Sequence, residues 1–255
     1  MFVPAKEKPM VSLPGRPEGA DWAEPANVID NLRYRRDGSS GFVEEGHRHV
    51  FVIPAEGGTP RQITSGNYNH GSPEWTADGE HLIVSSNRQE DWEYDARDTE
   101  LYRISVDDGS MTQLTDRNGP DSSPAVSPDG SKIAYLGYDD NLDGYQITQL
   151  YVMNTDGSGK QVLTEDFDRD AGSINWSSDG ESIFIQYDDE GNGKIGVVSM
   201  DGDVRKLADN VGGTSLGRPY GSGSYSVAPN GVMAYTYTTP YHPADVAVVK
   251  KNSEP

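Results

Sequence analysis

The chain of 255 residues carries 41 Asp and Glu against 21 Lys and Arg, a formal charge of −20. Such a surface repels phosphate backbones and anionic lipid, which argues against nucleic-acid and membrane partners. There is no Cys, so disulfides, thiolate metal sites and cysteine nucleophiles are excluded, and no apolar run approaches the ~18 residues of a membrane span.

Residues 1–28 hold five Pro and lack the apolar core of a secretory signal. They read as an extended leader to the unit 29–255, and a cytoplasmic location is expected. Three short β-prone runs follow: Asn31-Leu32-Arg33-Tyr34-Arg35, His49-Val50-Phe51-Val52-Ile53 and Pro60-Arg61-Gln62-Ile63-Thr64. From there the signals return four at a time. Ser72-Pro73-Glu74-Trp75, Leu82-Ile83-Val84, Leu101-Tyr102-Arg103-Ile104 and Thr112-Gln113-Leu114-Thr115 form one set. Ser123-Pro124-Ala125-Val126-Ser127, Lys132-Ile133-Ala134-Tyr135-Leu136, Leu150-Tyr151-Val152-Met153 and Lys160-Gln161-Val162-Leu163-Thr164 form the next. Ser173-Ile174-Asn175-Trp176, Ile183-Phe184-Ile185, Ile195-Gly196-Val197-Val198 and Val204-Arg205-Lys206-Leu207 form a third. The last set has three members: Ser224-Tyr225-Ser226-Val227, Val232-Met233-Ala234-Tyr235-Thr236 and Asp245-Val246-Ala247-Val248-Val249. β-Branched and aromatic residues fill these runs, and turn formers separate them.

Between the first and second run of each set stands one triplet: Ala77-Asp78-Gly79, Pro128-Asp129-Gly130, Ser178-Asp179-Gly180 and Pro229-Asn230-Gly231. Their middle residues are 51, 50 and 51 positions apart. A period near 50 with four short strands per unit predicts an all-β chain, specifically a β-propeller. Naming the strands a to d outward from the axis, the triplet is the a–b hairpin turn. Three blades are complete; the first lacks a and the last lacks d. This predicts an open arc of a larger propeller, prone to self-association through its blade edges.

The order Arg33-Tyr34-Arg35-Arg36-Asp37-Gly38, His49-Val50-Phe51-Val52-Ile53-Pro54-Ala55-Glu56-Gly57-Gly58, Pro60-Arg61-Gln62-Ile63-Thr64-Ser65-Gly66, Ser86-Asn87-Arg88 and Gly119-Pro120-Asp121-Ser122-Ser123-Pro124 resembles the propeller of prolyl-oligopeptidase-family serine peptidases, in the acylaminoacyl-peptidase branch. The isolated Pro-Asp-Gly is shared with TolB-like propellers. The resemblance implies a non-catalytic propeller that gates and orients peptide substrates for a Ser-Asp-His hydrolase domain absent from this chain. The alternative is a stand-alone TolB-like interaction propeller. Neither requires a cofactor, and the partners implied are peptide substrates or a hydrolase domain.

Several local patterns bear on chemistry. Gly213-Thr214-Ser215-Leu216-Gly217 matches G-x-S-x-G, but a nucleophile elbow leads into a helix. Arg218-Pro219-Tyr220-Gly221 cannot begin one, so Ser215 reads as a loop serine. In the b–c loop, Asp139, Asn141 and Asp143 offer alternating oxygens to Ca²⁺, but Leu150 stands where an EF-hand needs Glu. A solvated acidic hairpin is the preferred reading, with Ca²⁺ affinity in the ~10⁻⁴–10⁻³ M class at best. His47 and His49 are two apart without a third ligand. Trp75 and Trp176 share one repeat phase and read as blade-packing residues. Copy-to-copy differences should lie on the face shared by the d–a and b–c loops. There Asn87, Arg88, Arg117 and Arg169 are candidate contacts to substrate or to a partner domain. Asp116-Arg117 and Asp168-Arg169 are also read as bidentate braces between blades.

Overall fold

The computed structural model describes residues 1–4, 17–20, 29, 31–38, 41–213 and 223–250. The Ser215 pattern, most of the leader and residues 251–255 lie outside the described residues. Among the described residues there is no helix, and so none that could cross a membrane.

The first sheet pairs β1 (Phe2–Pro4) with β2 (Gly46–Arg48), and the second pairs β3 (Phe51–Val52) with β4 (Arg61–Gln62). A four-stranded antiparallel meander follows: β5 (Glu74–Trp75), β6 (His81–Ser86), β7 (Glu100–Ser105) and β8 (Met111–Gln113). The next is β9 (Asp121–Val126), β10 (Lys132–Gly137), β11 (Gln149–Asn154) and β12 (Gln161–Val162). The fourth blade is β13 (Gly172–Trp176), β14 (Ser182–Asp189), β15 (Asn192–Ser199) and β16 (Val204–Val211). The fifth has β17 (Tyr225–Val227), β18 (Met233–Thr239) and β19 (His242–Val249), and joins the fourth through one bridge, Val211 to Tyr237. The blades therefore follow the propeller order, and among the described residues no ladder joins the first sheets to the last.

The b strands β6, β10 and β14 are buried on both faces because each packs between two neighbours. Ile83 meets Ile133, Tyr135 and Met153 of the following blade, while Leu82 and Val84 face Val50 of the preceding one. The same division places Ala134 and Leu136 with Ile183 and Ile185. The core is thus a series of inter-blade layers, the nearest-neighbour packing of a repeat protein.

One expected strand does not form. Residues 31–36 are bends and irregular chain, with Leu32 and Tyr34 exposed. The apolar residues of that run have no blade face to cover, and three arginines, Arg33, Arg35 and Arg36, favour solvent. The backbone of Gly46–Arg48 pairs with Phe2–Pro4 instead. A second difference is length, since β16 continues past Leu207 to Val211.

Two turn devices hold the repeat. At the a–b turn, Thr76, Ser127 and Ser177 donate their hydroxyls to Asp78, Asp129 and Asp179 at 2.6, 2.6 and 2.5 Å. The same hydroxyls accept the N–H of His81, Lys132 and Ser182. At the c–d turn a second Asp-Gly series places Gly109, Gly157 and Gly202 at positive φ. A Cβ there would lie 2.8, 3.1 and 2.8 Å from the carbonyl oxygens of Ile63, Leu114 and Leu163 in the preceding blade. Glycine is what lets neighbouring blades close to this distance.

Candidate functional site

The loop face collects the residues at which the copies diverge. Where each c strand begins, the d-strand threonine reaches back: Thr64, Thr115 and Thr164 accept the N–H of Val50, Leu101 and Leu150 at 3.0, 2.9 and 2.8 Å. That scaffold is constant. The residue just before it is His49, Glu100 or Gln149, and the residue at the matching repeat phase ahead of or at the start of the a strand is His70, Asp121 or Ala171.

At the junction of the first and second blades the pair is His49 and His70, both buried, with ring centroids 5.5 Å apart. His70 donates from Nδ1 to the Arg48 carbonyl at 3.1 Å, and Arg88 donates from Nη1 to His70 Nε2 at 3.3 Å. Burial lowers the His70 pKa to about 4, with the Arg88 and His49 charges adding to the effect, so the ring is neutral and can accept from Arg88. Arg88 also lies 4.4 Å over the Tyr68 ring.

One junction later the pair is Glu100 and Asp121, both buried. Burial pushes Glu100 up to about 7; Asp121, Asp98 and Asp116 push the same way, and the Thr115 hydroxyl, which donates to Glu100, opposes them. Burial also raises Asp121, against the pull of Arg117. Arg117 donates to Asp121 and to the Pro120 carbonyl, lies 3.5 Å from Asp139, and stacks 4.1 Å over Tyr151. It fits because Gly137 has no side chain: a Cβ there would collide with the guanidinium, Pro120 and Asp121. A cleft of about 130 Å³ remains beside Arg117, Tyr135, Tyr151 and Lys160.

At the third junction the residue in register with Gly137 is Tyr187, buried and edge-on to Phe167 at 5.0 Å. Arg169 is accordingly turned outward. It donates from Nε to Asp189 at 2.9 Å and from Nη1 to Asp168 at 3.2 Å. A larger cleft, about 310 Å³, opens among Tyr145, Asp170, Ser173, Gln186, Tyr187 and Asp188. Asp170 is held there by the Tyr145 hydroxyl and the Thr148 N–H, both at 2.6 Å.

The remaining candidates have local duties. Asn87 donates to the Asp95 carbonyl at 2.6 Å and accepts from the Gln89 N–H, bracing the insertion around Trp92. In the acidic loop the turn is organised by Asp140, which accepts from Leu142 N–H and Gln146 Nε2 at 2.8 Å each. Asp139 turns to Arg117, and Asn141 donates to the Asp139 carbonyl at 3.4 Å. Asp143 is exposed. Among the described residues, the three His or carboxylate side chains that converge within 4.8 Å are Asp78, Glu80 and His81. They sit on an a–b turn whose Asp78 already serves Thr76 and Glu80 N–H. The two Asp-Arg repeats use their charges differently: Asp116 binds Lys160 at 2.9 Å and Arg117 uses Asp121, whereas Arg169 keeps Asp168 and adds Asp189. Trp176 does brace blades, donating from Nε1 to the Ala125 carbonyl at 2.9 Å.

Sequence reasoning passed over the His49–His70 and Glu100–Asp121 pairs, the hydroxyl at the head of each a–b turn, and Gly137. Each was visible in one operation, laying the copies over one another at the 50-residue period.

The antiparallel blades and their inter-blade layers define a propeller, and a family model for the TolB beta propeller domain matches residues 34–206. The chain belongs to that family. An uncharacterized protein of Agrobacterium fabrum is 27% identical over 184 residues, covering 68% of this chain and 58% of that protein. The crystal structure of TolB from Acinetobacter baumannii is similar with a TM-score of 0.55 at 18% identity, over 80% of this chain and 46% of that one. A Mycobacterium tuberculosis puromycin-hydrolyzing peptidase is similar with a TM-score of 0.59 at 17% identity, over 81% of this chain and 36% of that one. The chain thus spans from about a third to somewhat over half the length of these proteins. At these identities the two structural likenesses show the fold.

Proposed function

We propose that this chain is a non-catalytic recognition propeller that holds a peptide segment on its d–a and b–c loop face. The supporting observation is where the repeat diverges. Turn hydroxyls, d-strand threonines and core layers repeat from blade to blade, whereas the paired residues at the junctions change from His49/His70 to Glu100/Asp121 to Gln149/Ala171. A purely structural array has no need of three chemistries at one position. Two clefts open there, beside Arg117 and beside Arg169.

In the setting that the sequence resemblance suggests, the segment is a peptide substrate, gated and oriented for a hydrolase domain on the same or another polypeptide. The similarity to a peptidase propeller favours that setting, and the similarity to TolB favours a stand-alone interaction propeller equally. Selection from a displayed random-peptide library tests the common part. Enriched peptides should bind this chain saturably and change affinity on Arg117→Ala or Arg169→Ala. Failure to enrich any sequence, or enrichment indifferent to every loop-face substitution, would overturn it. Reading the flanking coding sequence for a Ser-Asp-His hydrolase domain separates the two settings.

A further inference from the structure

We propose that the cleft between the third and fourth blades receives the side chain of a basic residue, arginine or lysine, presented by a bound peptide; this deepens the recognition reading and rests on it. The junction one blade earlier shows what such walls hold. There the chain's own guanidinium, Arg117, lies over a tyrosine ring and against a buried carboxylate and a backbone carbonyl. At the next junction Tyr187 replaces Gly137, the local arginine is paired with Asp189 at the side of the cleft, and about 310 Å³ is left open among aromatic and acidic groups beside it.

The chemistry of that cleft is one-sided. Asp170 is fixed by Tyr145 and Thr148, yet each of its oxygens keeps capacity to accept further hydrogen bonds. Asp188 lines the same cleft. Arg169 is offset by Asp168 and Asp189, and Lys194 by Asp189 at 2.5 Å. Four carboxylates, Asp168, Asp170, Asp188 and Asp189, therefore stand against two cations, Arg169 and Lys194. Independently, Gln186 lines the cleft, and its Oε1 is buried without a hydrogen-bond partner among the described residues. A turn of the Gln186 side chain toward the cleft would offer that acceptor to an N–H donor of the ligand. Ser85, Leu136 and Thr236 occupy the same phase in the other blades, so the amide is particular to this junction. A ligand with several N–H donors, positive charge and a flat face or apolar stem meets all these groups. The chain's charge of −20 raises the local concentration of such a ligand.

The test is calorimetric titration of the full chain at low salt with acetyl-Ala-Arg-Ala-amide, its lysine counterpart and its citrulline counterpart. The arginine and lysine peptides should bind at one saturable site, and citrulline, uncharged but similar in shape, about tenfold more weakly or less. Asp170→Asn should weaken the arginine peptide by about tenfold. Gln186→Glu, which adds charge where the orphaned acceptor stands, should strengthen it, a gain that misfolding cannot mimic. Equal affinity for citrulline, no binding of either basic peptide, or affinity unchanged in both variants would overturn the proposal. If library selection instead yields peptides without basic residues that still need this face, the basic-residue pocket falls and the recognition reading stands.

Discussion

Ser127 illustrates how much one hydroxyl does in this molecule. It donates to Asp129 and accepts from Lys132 N–H, closing the a–b turn, as Thr76 and Ser177 do in their blades. The fifth blade has Ala228 at that phase, and there Asn230 accepts from Val232 N–H at 3.1 Å. Ser127→Ala is expected to cost about 1–2 kcal/mol in urea melts, and Ala228→Ser to gain a smaller amount. A neutral first change with a destabilising second would show that the hydroxyl is incidental. Glu100 supplies a pH signature. Its folded pKa of about 7 lies above its ordinary 4.5, so between those values the native state holds more protons than the unfolded chain. Its contribution therefore declines as pH rises from about 4.5 to about 7 and stays at the lower level above. Glu100→Gln keeps an acceptor for Thr115 and should raise stability at pH 8 by about 1–3 kcal/mol relative to the parent. His70, lowered from 6.5 to about 4, acts in the other direction: its contribution is full above 6.5 and is lost as pH falls through about 4. A pH series of melts on the parent and Glu100→Gln measures the Glu100 contribution. A difference between the two that does not change from pH 4.5 to pH 7 would refute the Glu100 assignment.

Blades are held to each other by single side chains as well as by core layers. Trp176 ties the fourth blade to the Ala125 carbonyl of the third. Trp75, at the same phase in the second blade, is 48% exposed, because among the described residues the blade before it has no innermost strand to offer a carbonyl. Trp176→Phe should cost about 1–2 kcal/mol, and Trp75→Phe within about 0.5 kcal/mol. Equal costs would mean the indole bond contributes nothing. Gly137→Ala should be severe, about 2–4 kcal/mol, because its methyl takes the space of the Arg117 guanidinium; thermal melting measures it. Strand existence was legible wherever a run recurred at the 50-residue period, as with β6, β10 and β14. It was misread at 31–35, where β-prone composition stood alone without a neighbouring blade to bury it. Of the site, the arginines were legible as repeat-phase residues. Their partners were not, since the pairing of Arg117 with Asp121 rather than Asp116 depends on side-chain directions.

At the scale of the whole chain, β19 pairs only with β18 among the described residues, and Val246 and Val248 on it are 69% and 58% exposed. An unpaired edge of this kind is a template for another strand. Sedimentation should show mass rising with protein concentration, more so in added salt, which screens the repulsion between chains of charge −20. Val248→Lys should reduce it, and a monomer at every concentration would count against edge pairing. The propeller itself was determined by the sequence alone. Turn triplets 51, 50 and 51 residues apart and short β-branched and aromatic runs are local properties, and local properties set turns and strands. What only the tertiary structure decided is the loop face: which arginine is tucked in and which is turned out, which histidine is neutral, and where a cleft opens. Those depend on whether a glycine or a tyrosine from one blade meets a side chain from the next, a contact between positions far apart in the chain that only the packed blades bring within reach.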